Sequence, residues 1–221
     1  MDKETFLQKY VDIETQNPLK EIKNKKLDEL FNDFEIYKAK LNSIDIIGII
    51  DYLTINNIII RQQLFGHLIY PILSEQVEQN DISAIKGLLR LDQHLLSYRG
   101  YTKDAKYSSW ILVEKGLSIS PDDRELLELS ERTTRNYLIY TLHELPSGVL
   151  YGTNGATIKE CEELIEEIGK YELLCEKLQL DESELIQKCK FYYPAYKNYL
   201  LANSNNKSFT DYLDKVDEQP K

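Results

Sequence analysis

The three histidines are the first residues to consider for chemistry, because the imidazole side chain titrates close to neutral pH. His67 follows Arg61 by six residues in the sequence RQQLFGH, which brings a permanent cation near a group that can exchange a proton. His94 and His143 lie among apolar residues, in LDQHLL and TLHEL. Those two patterns predict uncharged, hydrogen-bonded histidines at the border of a core.

The spacing of Arg61 and His67 resembles the arginine–histidine motif of HEPN-type ribonucleases, which are helical bundles. The resemblance implies that Arg61 would stabilise the phosphate in the transition state and that His67 would transfer a proton, without a metal ion. Gln62 stands where the motif usually has Asn, Asp or His. Two residues six apart on a regular helix point about 120° away from each other. Metal-independent RNA cleavage is therefore the alternative function and not the leading one.

An acidic segment near the end of the chain supports the leading hypothesis. The sequence has 37 acidic and 27 basic residues and a net charge of −10, which disfavours nucleic acid as a partner and favours a basic protein. Ten acids lie between positions 160 and 184, and tyrosines, which often anchor interfaces, follow them. We expect a non-enzymatic protein-interaction module, of which an immunity or antitoxin protein is one concrete version. The residues predicted to contact the partner are Glu160, Glu163, Glu166, Glu167, Tyr192, Tyr193 and Tyr196.

Other catalytic patterns are absent from the sequence, so no cofactor and no metal site is expected. There is no HExxH motif and no second histidine at a metal-binding spacing. Cys161, Cys175 and Cys189 occupy apolar positions, which predicts small buried side chains and not ligands. The segment from Gly152 to Gly155 lacks the lysine of a phosphate-binding loop, and it is predicted to be irregular.

The spacing of apolar residues predicts an all-α fold of about nine helices, packed as antiparallel hairpins in an α-solenoid or an irregular bundle. With 9 Gly and 6 Pro, the chain has few of the turn residues that sheets need. Asp81 and Thr157 are predicted N-caps, and Pro71 should kink its helix. The sequence from Ser120 to Asp123 predicts a helix start with Ser120 as N-cap and a proline in the first turn.

Part of the chain, about residues 95–123, resembles a tetratricopeptide repeat. Gly100 and Ala105 stand five apart, and Leu117 stands four before Pro121, as in that repeat. The distance from Ala105 to Pro121 is one helical turn longer than the repeat has, and no second copy follows at a fixed period. The resemblance implies stacked helical hairpins with a concave surface that binds a peptide or protein.

The domain organisation and location follow from length and hydropathy. The 221 residues are expected to form a single helical domain, with a possible division into 1–145 and 157–221 at the loop 146–156. The chain starts without an apolar signal segment and has no apolar run of membrane-spanning length, so we expect no membrane association and a cytoplasmic location. The sequence does not indicate an oligomeric state.

Overall fold

The computed structural model describes residues 2–16, 19–101, 106–145, 157–202 and 208–217. Within these ranges the protein is all-α, with no strand, and antiparallel helix pairs are in contact, as predicted. The described chain forms eleven helices, two more than the nine expected. They are α1 (Lys3–Gln16), α2 (Lys20–Lys38), α3 (Ser43–Ile55), α4 (62–78), α5 (Ile82–Leu89), α6 (Asp92–Tyr101), α7 (Ser109–Ile119), α8 (Arg124–Glu144), α9 (Ile158–Leu178), α10 (Ser183–Leu201) and α11 (Phe209–Asp217).

The chain divides into two compact units, Met1–Leu126 and Leu127–Lys221. The division lies inside α8 and not at the loop 146–156, which is outside the described residues. Most of α8 belongs to the second unit, because its side chains pack against that unit and form hydrogen bonds with it. Leu138 is in the core of that unit, and the Tyr171 hydroxyl donates to Glu131 at 2.8 Å.

The first unit begins with an aromatic contact between α1 and α2. The rings of Phe6 and Phe34 stack with centroids 4.1 Å apart, and Phe6 also lies 6.0 Å from Phe31. Leu27 and Leu30 of α2 are also buried, so its apolar stripe is its core face. This pairing holds the end of α1 against α2 and brings Glu14 close to Lys23.

Helix α4 contains a π-helical turn, Phe65–Ile69, between Gln62–Leu64 and Tyr70–Glu78. The amide of Tyr70 donates to the Phe65 carbonyl, five residues back instead of four. Pro71 follows directly and has no amide hydrogen to continue the regular ladder. The predicted disturbance at Pro71 is therefore a widened turn in a continuous helix, and it changes the direction of the residues before it.

Some helix boundaries in the structure differ from the predicted ones, because turns form where a helix was expected. The helical segment that begins after Asp81 is interrupted at Arg90 and Leu91, which separates α5 from α6. Asp81 is the N-cap of α5, as predicted, and its carboxylate accepts the amide of Ser83 at 2.8 Å.

The helix predicted to start at Ser120 starts instead at Arg124. The amide of Asp123 donates to the Ser120 carbonyl at 3.2 Å, which closes a turn, and the Asp123 carboxylate then accepts the amide of Leu126. Asp123 thus takes the capping role that the sequence pattern assigned to Ser120.

Helix α7 starts at Ser109 with Ser108 as its N-cap. The segment 106–108 before it is not helical. Ala105, the early alanine of the repeat-like pattern, lies outside the described residues, so the tetratricopeptide resemblance stays a prediction.

The second unit is built on α9 and α10, an antiparallel pair that shares one core. The apolar positions of α9 form a buried stripe along one side, and those of α10 face it. Thr157 is the N-cap of α9, as predicted, and forms a capping box with Glu160. The buried stripe consists of Cys161, Leu164, Ile168, Tyr171 and Cys175.

Candidate functional sites

The predicted contact glutamates of α9 lie outside its buried stripe, two on the solvent side of the helix and two at the margin of the stripe. Glu163 and Glu166 are exposed, and Glu160 and Glu167 are half-buried. A helix with one face in a core must turn the opposite face to solvent. The structure therefore places the four predicted contact glutamates along one helix, outside the core of the second unit.

Three of these four glutamates already have a partner nearby. Glu160 accepts the Thr157 amide at 2.9 Å, Glu163 lies 3.5 Å from Lys159, and Glu167 lies 3.3 Å from Lys170. The two lysine pairs are short-range pairs on an exposed helix, where such contacts contribute little and are easily exchanged. Both carboxylates thus remain accessible to an incoming cation.

Two longer-range ion pairs clamp α9 to α10. Lys197 reaches Glu162 at 2.6 Å, and Lys190 reaches Glu172 at 2.6 Å. The ten acids of this region therefore do not form one uniform negative surface, because lysines of α10 neutralise Glu162 and Glu172. On the outer side of α9, Glu163 and Glu166 are both exposed, and Glu163 lies 3.5 Å from Lys159.

The predicted tyrosine anchors are divided between the core and the surface. Tyr193 is fully buried and its hydroxyl meets that of Thr141, and Tyr196 is buried edge-to-face against Phe209 at 5.0 Å. Because residues three apart on α10 both face its core, neither of these rings is exposed for the predicted contact with a partner. Tyr192 is half-buried.

Two exposed apolar residues near the acidic helix were not predicted as contacts. Leu173 on α9 is 66% exposed and Phe191 on α10 is 53% exposed. Each lies off the buried stripe of its helix, so the helical period could have shown that both are outside the core. Aromatic side chains such as that of Phe191 are enriched at the cores of interfaces.

The cysteines are buried thiols, as predicted, and none forms a disulfide. Burial raises the pKa of Cys161 to about 11, and it raises that of Cys189 to about 11 as well. At neutral pH these thiols are protonated, which is the unreactive form.

Arg61 and His67 lie in the wall of the same surface cleft of the first unit, of about 700 Å³. Arg61 precedes α4 in an extended conformation, and His67 is in the π-helical turn, so the angle expected for a regular helix does not apply. The other polar side chains of the cleft include Lys20, Asn24, Gln63 and Tyr98.

Arg61 is held by a buried carboxylate behind the cleft. Its Nε donates to Glu14 Oε1 at 2.7 Å and its Nη2 to Glu14 Oε2 at 3.0 Å. Lys23 also reaches Glu14, at 3.3 Å from Oε2. The Glu14 side chain is only 4% exposed, and these contacts raise the pKa of the Arg61 guanidinium. Arg61 is thus a structural ion-pair partner as well as a cleft residue.

The three histidines have three different environments. The exposed ring of His67 stacks on Phe31 with centroids 5.3 Å apart. His94 is half-buried, bonds to Gln62 at 3.1 Å, and has a pKa lowered by burial, as expected for a neutral border residue. His143 is 83% exposed beside Glu144, so its predicted position at a core border was wrong.

Comparison with known proteins leaves the chain without an assigned family. No protein-family model, no curated protein and no solved structure matches it. In the ranges that the structure describes, no helix is long and apolar enough to span a bilayer. Those same ranges contain no cluster of three or more His, Cys, Asp or Glu side chains placed to hold a metal ion.

Proposed function

We propose that this protein is a non-enzymatic interaction module that binds a basic protein through the outer side of α9. The observation that carries the proposal is the orientation of α9: its buried stripe leaves Glu163 and Glu166 on the solvent side, with Glu167 at the margin. Carboxylates in such a position attract a positively charged partner and accelerate its association.

The composition fits one particular type of partner. A net charge of −10 in a chain of 221 residues suits an inhibitor of the immunity or antitoxin type, which would cover the cationic surface of a basic enzyme. Leu173 and the half-buried Tyr192 would supply apolar contact beside the charges. Long-range electrostatic attraction would raise the rate of association, and the apolar contacts would slow dissociation.

The test compares two triple variants with the same change in charge. The first carries Glu163→Gln, Glu166→Gln and Glu167→Gln on α9. The matched control neutralises three exposed acids of α2, through the changes Asp28→Asn, Glu29→Gln and Asp33→Asn. Wild-type protein is used to capture partners from extracts of its host, with the products of neighbouring genes co-expressed, and the partner is then purified.

Association rates of the purified partner are measured at low and high salt. The α9 variant should associate about tenfold more slowly at low salt and lose most of its salt dependence, whereas the α2 variant should stay within about twofold of wild type. Capture of no basic protein, or an equal loss of rate in both variants, would refute the proposal.

A second candidate function is metal-independent RNA cleavage by Arg61 and His67, which is favoured by the single cleft that both residues line. The salt bridge to Glu14 weakens this candidate, because it fixes Arg61 as a structural ion-pair partner and uses two of its N–H donors. Purified protein should then degrade RNA in the presence of a chelator, and His67→Ala should abolish the activity. RNA that stays intact after long incubation at high protein concentration would eliminate this candidate.

A further inference from the structure

We propose that the cleft beside Arg61 is a binding site for a small organic phosphate with a planar ring, of about the size of a mononucleotide. The site belongs to the first unit and uses residues of α2, α4 and α6, so it does not depend on the acidic surface of α9. It requires no bond to be broken, and it therefore differs from RNA cleavage as well.

The charge of the cleft is the first argument. Lys20 and Arg61 line it, and no carboxylate is among the described residues of its wall, although the chain as a whole is acidic. Behind the wall, Glu14 is shared by Arg61 and Lys23. Two cations against one carboxylate leave a net positive charge, to which Lys20 adds another. A local positive site in an acidic protein selects for an anion.

The hydrogen-bond donors of the cleft are held in place before any ligand arrives. Glu14 occupies two of the five N–H donors of Arg61, so three others are available for an anion. The hydroxyl of buried Tyr10 donates to the Ile59 carbonyl at 2.8 Å and accepts the Arg61 amide at 3.0 Å. This contact fixes the extended backbone that carries Arg61. A fixed donor array loses little freedom on binding, which favours affinity.

Amide and aromatic side chains supply the contacts that a ring would need. Gln63 donates to Asn24 at 3.3 Å, so these two amides meet across the cleft between α4 and α2. The His67 ring rests on Phe31 with one face and is otherwise exposed. A ring with one face supported is a suitable platform for stacking a second planar group.

The π-helical turn shapes this side of the cleft. Within it Gly66 approaches Tyr98 so closely that a Cβ at position 66 would lie 3.1 Å from the tyrosine ring. The glycine therefore lets the Tyr98 ring line the cleft next to His67. Single π-helical turns are frequent at functional sites. The volume of about 700 Å³ is also within the range of small-molecule sites.

The test uses calorimetric titration of the full chain with adenosine monophosphate, inorganic phosphate and adenosine. We expect adenosine monophosphate to bind with a Kd below about 1 mM, and at least about tenfold more tightly than either fragment, because only the whole molecule satisfies both halves of the site. Adenosine monophosphate has no phosphodiester bond, so its binding is measured independently of any RNA cleavage. No detectable binding at about 10 mM, or a Kd equal to that of phosphate, would overturn the proposal.

Two variants locate the ligand, and a third is the matched control. Lys20→Glu should weaken binding of adenosine monophosphate by about tenfold or more, because it replaces a charge-assisted contact with a repulsion. Lys25→Glu makes the same charge change at an exposed position of the same helix and should alter Kd by less than about twofold.

His67→Ala should weaken the binding of adenosine monophosphate by about three- to tenfold through loss of stacking, and should leave the binding of phosphate unchanged. If Lys20→Glu and Lys25→Glu weakened the binding of adenosine monophosphate equally, the attraction would be non-specific and the proposed site would be refuted. An unchanged affinity of His67→Ala for adenosine monophosphate would overturn the assignment of a ring-bearing ligand.

Discussion

Glu14→Gln is the substitution that examines the electrostatic centre of the first unit most directly. The Glu14 carboxylate accepts two hydrogen bonds from Arg61, at 2.7 and 3.0 Å, and lies 3.3 Å from Lys23. Glutamine has nearly the same volume, so the change removes a charge without creating a cavity. Its amide oxygen can still accept from one Arg61 donor, but its NH₂ group would face the other.

The expected cost follows from those contacts. Loss of one charge-assisted hydrogen bond costs about 1.5–3 kcal/mol, and leaving a buried charge without its partner costs more. Arg61 and Lys23 are 24% and 11% exposed, so water relieves part of the second penalty. We expect the free energy of unfolding of the first unit to fall by about 2 kcal/mol. In urea, with a slope of about 2 kcal/mol per molar, the midpoint should decrease by about 1 M.

The assay is urea denaturation followed by the fluorescence of Trp110, the single tryptophan, which lies on α7 in the first unit. The control is Glu35→Gln, which removes an exposed carboxylate 3.1 Å from Lys38 and should cost less than about 0.5 kcal/mol. If Glu14→Gln cost no more than Glu35→Gln, the buried ion pair would not stabilise the unit, and the reasoning would be refuted.

Three further predictions concern packing, protonation and thiol reactivity. Gly116→Ala should lower the free energy of unfolding, measured by urea denaturation, by about 1–3 kcal/mol, because its Cβ would lie 2.6 Å from the Leu126 side chain. Gly48→Ala should instead raise the free energy of unfolding by about 0.5–1 kcal/mol, because its Cβ would meet nothing within 4 Å. Folding lowers the pKa of His94, so the unfolded state binds the proton first as the pH falls. The free energy of unfolding should therefore decrease as the pH drops below about 6.5. His94→Asn should reduce this dependence on pH in urea titrations between about pH 7 and about pH 5.5. The three buried thiols should react with a thiol reagent at pH 7.5 only slowly until the protein is unfolded, and rapid labelling of the native chain would contradict their burial.

The second unit shows how far the helical period carries a prediction. The apolar spacing of α9 and the cap at Thr157 were sufficient to place its core stripe and its acidic side. The tyrosines of α10, in contrast, were predicted together as partner contacts. Packing against Thr141 and Phe209 shows that Tyr193 and Tyr196 are inside the core. A tyrosine is compatible with either environment, so its residue type does not decide its burial.

By itself, the sequence determined that the described part of the chain is all-α and which side of α9 is buried, because a helix must hide its apolar stripe and the stripe has a fixed period. Tertiary structure alone decided that Arg61 and His67 share a cleft and that Glu14 holds Arg61 from 47 residues away. His67 itself lies in a π-helical turn, Phe65–Ile69, which ends two residues before Pro71. Contacts between distant segments are set by how helices pack on one another, and no local period of residues records that arrangement.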